Sequence, residues 1–226
     1  METLRRHRLA RLSSAGWDAV LGRAWDAQAR ECLAHWARHE LPLVVTRQTA
    51  DTGDCDLIAL GLPAPGRWAR RRLALHVPPS SVSRFDEFPT LAEVVDLLPL
   101  SERVADDLRA GLASCHATAH VYGSYGWQAL SGLDHIRQGS DLDLWIAVRS
   151  VAHADNVAHR LERFTSSRLR LDGEIMFADG TAVAWREWSD WRAGRTRAVM
   201  VKQLTGPSLR HDADWCEGAR HAALAT

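Results

Sequence analysis

The sequence predicts an α+β protein in two parts, and three observations carry that expectation. Arg72 to Val77 (R-L-A-L-H-V) alternates with strict period two, as a half-buried strand should. A proline- and serine-rich stretch, Pro78-Pro79-Ser80-Ser81, then interrupts the pattern. It places a boundary between Pro78 and Pro89, with residues 1–84 forming a first α/β domain and 85–226 a second. Beyond the boundary, short apolar runs alternate with helical periodicities, which suits a mixed sheet flanked by helices.

In the first part, Val20, Leu21, Ala24, Trp25, Leu33 and Trp36 fall at mostly helical spacing between Trp17 and His39. Pro42 ends that run, and Leu43-Val44-Val45 is a short β-rich segment. Asp51 to Asp56 (D-T-G-D-C-D) reads as a turn. Leu57 to Leu62 is another apolar strand, broken by Pro63, Pro65 and Gly66.

In the second part, Thr90 to Leu98 and Ser101 to Ser114 read as helices, the latter with Ser101 as N-cap and Glu102 in its first turn. Thr118 to Tyr122 is a short strand and Ser124 to Leu133 a helix. Asp141 to Val148 (D-L-D-L-W-I-A-V) is a strand, and Val151 to Phe164 an amphipathic helix. Leu169 to Phe177 follows as a strand and Ala178-Asp179-Gly180-Thr181 as a hairpin turn. Ala182 to Trp188 and Ala198 to Gln203 complete the sheet.

Composition narrows the function classes. The chain has 226 residues, 46% hydrophobic and 25% charged, which is a globular and not a disordered balance. Lys+Arg 28 equals Asp+Glu 28, so no broad cationic face for nucleic acid is expected. No run of ~18 uncharged apolar residues offers a membrane span, and the arginine-rich start, Met1 to Arg11, lacks the apolar core of a secretory signal. Cys32, Cys55, Cys115 and Cys216 are scattered without a C-x-x-C, which fits a reducing cytoplasm. All but one of the basic residues are arginine. The exception is Lys202, a compact ammonium of the kind that meets phosphate as a point charge.

The chemistry concentrates between Tyr122 and Val148. A strand ends at Tyr122, and Gly123-Ser124 turns the chain into a helix. The free N–H groups of that helix start can hold an anion, and Gly123 lets backbone come close. Asp141 and Asp143, two apart on a strand, share a face. Paired carboxylates repel each other unless hard divalent cations and phosphate oxygens use them. Arg170-Leu171-Asp172-Gly173-Glu174-Ile175 offers a third acid, with Asp172 and Glu174 again on one face.

Gly123-Ser124, Asp141-x-Asp143 and a third acid on the next strand resemble the nucleotidyltransferase superfamily, whose fold is that of DNA polymerase β. The resemblance covers roughly residues 118–203. It implies a polymerase-β-like mixed sheet flanked by helices, with Asp141, Asp143 and Asp172 as metal-binding acids. Glu174 is the alternative to Asp172. Ser124 to Asp141 is longer than the superfamily's usual spacing, so the loop around His135 to Gly139 is an extension.

The segments Y-G-S-Y-G-W-Q-A-L-S-G-L, S-D-L-D-L-W, R-L-D-G-E-I-M-F-A-D-G-T-A-V-A-W-R-E and V-M-V-K are more closely similar to malonate decarboxylase holo-acyl-carrier-protein synthases, the phosphoribosyl-dephospho-CoA transferases. P-L-V-V-T-R and G-L-P-x-P-x-x-x-x-R-R-R-L-A-L extend the likeness over most of the chain. The resemblance implies transfer of a phosphoribosyl-dephospho-CoA group from its 5″-triphosphate precursor, triphosphoribosyl-dephospho-CoA, to a serine of the apo acyl-carrier subunit, with loss of pyrophosphate. It implies two Mg²⁺ (Mn²⁺ as the alternative) on Asp141, Asp143 and Asp172. Gly123, Ser124, Ser140 and Lys202 would contact phosphates, and Asp172 would serve as base. A different nucleotidyltransferase, adenylylating a protein or small molecule, and a non-catalytic nucleotide-binding module are the competing readings.

Other motifs weigh less. His35/His39 and His116/His120 have i, i+4 spacing but no third ligand and no H-E-x-x-H. Arg70-Arg71-Arg72 suits phosphate or an acidic carrier as well as it suits a solvated strand edge. Asp54-x-Asp56 sits in a turn without a phosphate loop. No G-x-S-x-G supports a serine hydrolase. Trp127, Trp145 and Trp185 are flat enough to stack on adenine, though core packing is the commoner use.

Overall fold

Residues 4–48 and 57–211 are described by the computed structural model, and they are α+β with two sheets over separate cores. The turn expected at Asp51–Asp56, with its Asp54-x-Asp56 pair, lies outside the described residues.

The first sheet contains β1 (Leu9–Leu12), β2 (Leu43–Val45), β3 (Ile58–Pro63), β4 (Arg72–Val77) and β5 (Val82–Asp86). Their order is β4-β3-β2-β1-β5, antiparallel throughout. Strand β4 alternates as expected, burying Leu73, Leu75 and Val77. Two helices, α1 (Ser14–Leu21) and α2 (Ala27–Arg38), replace the single periodicity read from Trp17 to His39. Gly22 closes α1, and the Asp26 carboxylate starts α2 by accepting from Ala29 N at 2.9 Å. Pro78 to Ser81 makes only one tight turn before β5 returns to β1, with Ala10 opposite Phe85 and Leu9 opposite Asp86.

The second sheet follows α3 (Glu102–Ser114). It is built from β6 (Ala119–Tyr122), α4 (Gly123–Ser131), β7 (Leu142–Ala147), α5 (Val151–Glu162), β8 (Leu171–Met176), β9 (Ala182–Ala184), α6 (Trp185–Arg192), β10 (Val199–Gln203) and β11 (Gly206–Arg210). The order is β11-β10-β9-β8-β7-β6. Only β7 and β8 run parallel, and α5 makes the crossover that parallel neighbours require. Leu142, Leu144 and Ile146 of β7 bury with Val157 and Leu161 of α5. Gly173 lies in the middle of β8 at φ +137, and a Cβ there would meet the Leu144 carbonyl oxygen at 1.9 Å. That close approach seats Asp172 and Glu174 hard against β7.

Two expectations for this half are corrected. Thr90 to Leu98 is not an α-helix. Its backbone joins the edge of β6, with Leu91 N donating to Ala119 O and Val121 N to Pro89 O, and only Val95–Leu97 forms a short 3₁₀ turn. The strand expected from Ala182 to Trp188 stops at Ala184. Trp185, Trp188 and Trp191 recur every third residue, and a helix buries all three against the sheet where a strand would expose alternate ones.

A small cluster ties the halves together: Leu9 of β1, Phe88 and Trp127 of α4, with Tyr122 and Val44 alongside. Phe88 and Trp127 meet edge to face, with centroids 5.4 Å apart. The extended loop after α4 contributes as well. Gln128 Oε1 accepts from the backbone of His135 and Ile136, and Arg70 Nη1 reaches the His135 carbonyl at 3.4 Å. Burial, with Arg70 nearby, pushes the His135 imidazole down to about 4. Among the described residues no helix is long and apolar enough to cross a membrane.

Candidate active site

Strand β6 ends at Tyr122, which lies opposite Asp143 in the antiparallel pair, and Gly123 follows in the left-handed region at φ +62. A Cβ on Gly123 would stand 1.9 Å from Asp143 Oδ2, so a bare backbone is required there. Helix α4 starts at this point. Tyr122, at its N-cap, makes no side-chain capping bond, and Ser124 lies half-buried in the first turn. First-turn N–H groups of such a start are free to meet an anion.

The parallel register sets Asp143 directly beside Asp172. Asp141, just before β7, is half-buried like both of them. Burial raises the Asp143 carboxyl, the charges of Asp172, Asp141 and Glu174 raise it further, and the result is a value of about 7. The balancing charge at the solvent edge is Arg170, 3.7 Å from Asp141 Oδ2 and 3.4 Å from Asp172 Oδ2. Asp172 Oδ1 also accepts from Gly173 N at 2.8 Å. Ser140 Oγ accepts from Arg137 N at 2.9 Å, fixing the approach of the loop into β7.

These side chains fit a hard divalent cation in donor type and in surplus negative charge. Among the described residues, no three His, Cys, Asp or Glu side chains are already gathered into a metal-holding group. Binding would therefore turn the carboxylates toward a common point.

Glu174 and Lys202 pair with each other. Glu174, buried on the same face as Asp172, accepts from Lys202 Nζ at 2.7 Å, from Arg6 Nη2 at 3.2 and 3.3 Å, and pairs with His7 Nε2 at 2.7 Å. Burial alone would raise its carboxyl. His7, Arg6 and Lys202 outweigh burial and hold it well below the usual carboxylate range. The sequence reading missed Arg6, His7 and Arg170. The arginine-rich N-terminus was visible, but nothing in it indicated a partner 168 positions away. Trp127, Trp145 and Trp185 are all buried. Trp145 stacks on His120 at 4.4 Å and carries the Arg5 guanidinium at 4.8 Å.

Comparison with known proteins adds a family to this geometry. A family described as the phosphoribosyl-dephospho-CoA transferase MdcG C-terminal domain matches residues 90–213, and the corresponding N-terminal domain matches residues 5–88. A phosphoribosyl-dephospho-CoA transferase of Bradyrhizobium diazoefficiens is 39% identical over 88% of this chain and 86% of its own length. Proteins of the same name from Xanthomonas axonopodis and Pseudomonas aeruginosa are 37% and 29% identical, over 87% and 86% of this chain and 89% and 91% of their own lengths. No solved structure matches.

Proposed function

Because the chain belongs to the phosphoribosyl-dephospho-CoA transferase family, we propose that it moves the phosphoribosyl-dephospho-CoA group from 2′-(5″-triphosphoribosyl)-3′-dephospho-CoA to a serine of the apo acyl-carrier subunit of malonate decarboxylase. The second half is proposed to be a nucleotidyltransferase domain working in the cytoplasm. The observation that carries the reading is the meeting of three features in one place: the uncapped start of α4, Gly123 pressed on Asp143, and Asp172 in register across the parallel pair.

In this reading Asp141, Asp143 and Asp172 would hold Mg²⁺, or Mn²⁺ in its place, and two ions suit three acids. The metal supplies neutralisation of the α-phosphate and of the leaving oxygens. The chain's own residues do the rest. Gly123 and Ser124 present backbone N–H groups and a hydroxyl to the phosphates, while Ser140 shapes the approach into β7. The acceptor serine oxygen bonds to the α-phosphorus, the bond between that phosphorus and the oxygen bridging to the β-phosphate breaks, and pyrophosphate departs. Asp172 takes the serine proton. Lys202, on β10 two strands from β8, would meet the departing group as a cation.

The test is to incubate the full chain and Mg²⁺ with apo carrier subunit and the triphosphate precursor, then weigh the carrier. A gain equal to the phosphoribosyl-dephospho-CoA group supports the reading. A gain with ATP and none with the precursor replaces it with adenylylation. No gain with either, or full turnover in Asp143→Asn, overturns catalysis.

A further inference from the structure

Glu174 is the most enclosed acid of the site, its side chain 4% exposed, whereas the Arg6 and Lys202 side chains around it are 25% and 36% exposed. The carboxylate is thus sealed while two permanent cations keep an open side. One acid set against two such cations leaves the group with positive charge to spare. Arg6 Nε, moreover, is buried with no acceptor among the described residues.

The N-terminal segment is held in place at some conformational cost. His7 adopts φ +60, a left-handed conformation uncommon for a residue with a side chain. That conformation sets its ring 4.2 Å from the ring of Tyr122, the residue from which Gly123 opens α4. Arg5 continues along the same face, its guanidinium over Trp145, and its ion pair with Glu87 anchors the segment to the end of the first sheet. Glu174 is two residues beyond Asp172 on one strand face, about 7 Å along it. A polyphosphate whose α-phosphate sits at the carboxylates can extend its far end to that point.

We infer that Arg6 and Lys202, set in place by the buried carboxylate of Glu174, form the receptor for the pyrophosphate that leaves, so that residues preceding β1 complete a site otherwise built from the second sheet. Glu174 is then a positioning residue acting through these two cations, and the acids left to hold a metal would be Asp141, Asp143 and Asp172. The inference rests on the transfer reaction proposed above. It adds Arg6, a residue of the first half of the chain, to the machinery.

The experiment titrates inorganic pyrophosphate into the full chain by calorimetry, first in EDTA and then in Mg²⁺, for wild type, Arg6→Ala, Arg6→Lys and Lys202→Met. Arg6→Ala and Lys202→Met are expected to weaken pyrophosphate at least tenfold in both buffers, with Arg6→Lys recovering part of the loss. In steady state, Arg6→Ala is expected to raise KM for the triphosphate more than it lowers kcat. Unchanged pyrophosphate affinity in Arg6→Ala, with only a lower melting temperature, overturns the inference and makes the cluster a structural tie. Glu174→Gln is expected to weaken pyrophosphate as well. Should that variant fail to fold, the Arg6 series alone decides. Wild type that binds pyrophosphate through Arg6 but adds no mass to the carrier sinks the proposed reaction and leaves this receptor standing.

Discussion

Gly123 and Asp143 exclude any side chain between them: the Cβ that alanine would add lies 1.9 Å from Asp143 Oδ2. The glycine is also left-handed, so substitution meets both strain and collision. Gly123→Ala is expected to cost about 1 kcal/mol from the backbone conformation. It is expected to lower transfer about a hundredfold by displacing the Asp143 carboxylate on the order of an ångström. Comparing melting temperature with turnover checks it, since a uniformly destabilised protein would lose the two together.

The Asp143 carboxyl gives a pH signature. Its ordinary value of 3.8 rises to about 7 in the folded chain through burial and then through Asp172, Asp141 and Glu174. The folded state therefore holds that proton more tightly than the unfolded state does. The resulting stabilisation is complete below pH about 4 and is lost as pH rises through about 7. Asp143→Asn in EDTA should match wild type in acid and exceed it above pH 7, by on the order of 1–2 kcal/mol after allowing for solvent at a half-buried group. Urea unfolding from pH 4 to 8 measures the divergence, and parallel curves would contradict it.

Glu174 predicts the opposite slope. Burial opposes its ionisation, but His7, Arg6 and Lys202 hold its folded value below the ordinary 4.5. Its contribution is present above about 4.5 and disappears as pH falls toward the lower folded value. Glu174→Gln should cost about 3 kcal/mol at neutral pH, because cations are left facing a neutral amide in a closed site. The gap from wild type should narrow on acidification. A gap that stayed constant from pH 7 to 3 would count against the ion cluster as its source.

Chelation and acid removal should converge. EDTA is expected to abolish transfer and added Mg²⁺ to restore it. Asp141→Asn, Asp143→Asn and Asp172→Asn should each reduce kcat by about a thousandfold, equivalent to several kcal/mol of lost charge stabilisation. None should lower the melting temperature of the metal-free protein appreciably, since each removes charge from a repelling group. Discontinuous transfer assays beside calorimetric scans would separate loss of chemistry from loss of fold.

Much of the second sheet was legible because local patterns and tertiary demands agree there. The run from Asp141 to Val148 alternates carboxylates with leucines, and Leu142 and Leu144 bury as alternation requires. Tyr122-Gly123-Ser124 marks the strand-to-helix turn through the one residue that tolerates its geometry. The errors occurred where spacing was ambiguous. Leu91, Val94 and Leu98 are buried at helix-like intervals, yet the segment begins by pairing with β6 through Leu91 N and then closes only short three-residue turns. Ala182 to Trp188 followed a hairpin and so read as sheet, although the threefold spacing of Trp185, Trp188 and Trp191 is helical. Three short strands, β1, β5 and β11, passed unnoticed because each is set by its partner across the sheet. At the site, spacing marks Asp141 and Asp143 and leaves Asp172 and Glu174 open as the third acid, and only the family resemblance favours Asp172. Arg6 and His7 were not legible, because their significance depends wholly on a carboxylate 168 and 167 residues away.

The crossing of Arg6 and His7 onto β8 has a consequence for engineering. The boundary near residue 89 invites hybrids that join the first half of one relative to the second half of another. Such a chimaera brings together a closed acid and whatever residues the donor carries at positions 6 and 7. Gln48 N to Leu204 O and Arg47 Nε to Thr205 O, both 2.9 Å, stitch the same seam farther along. A viable graft has to carry positions 6 and 7 along with position 174, which makes the short arm ahead of β1 cargo of the second half, whichever side of the junction encodes it.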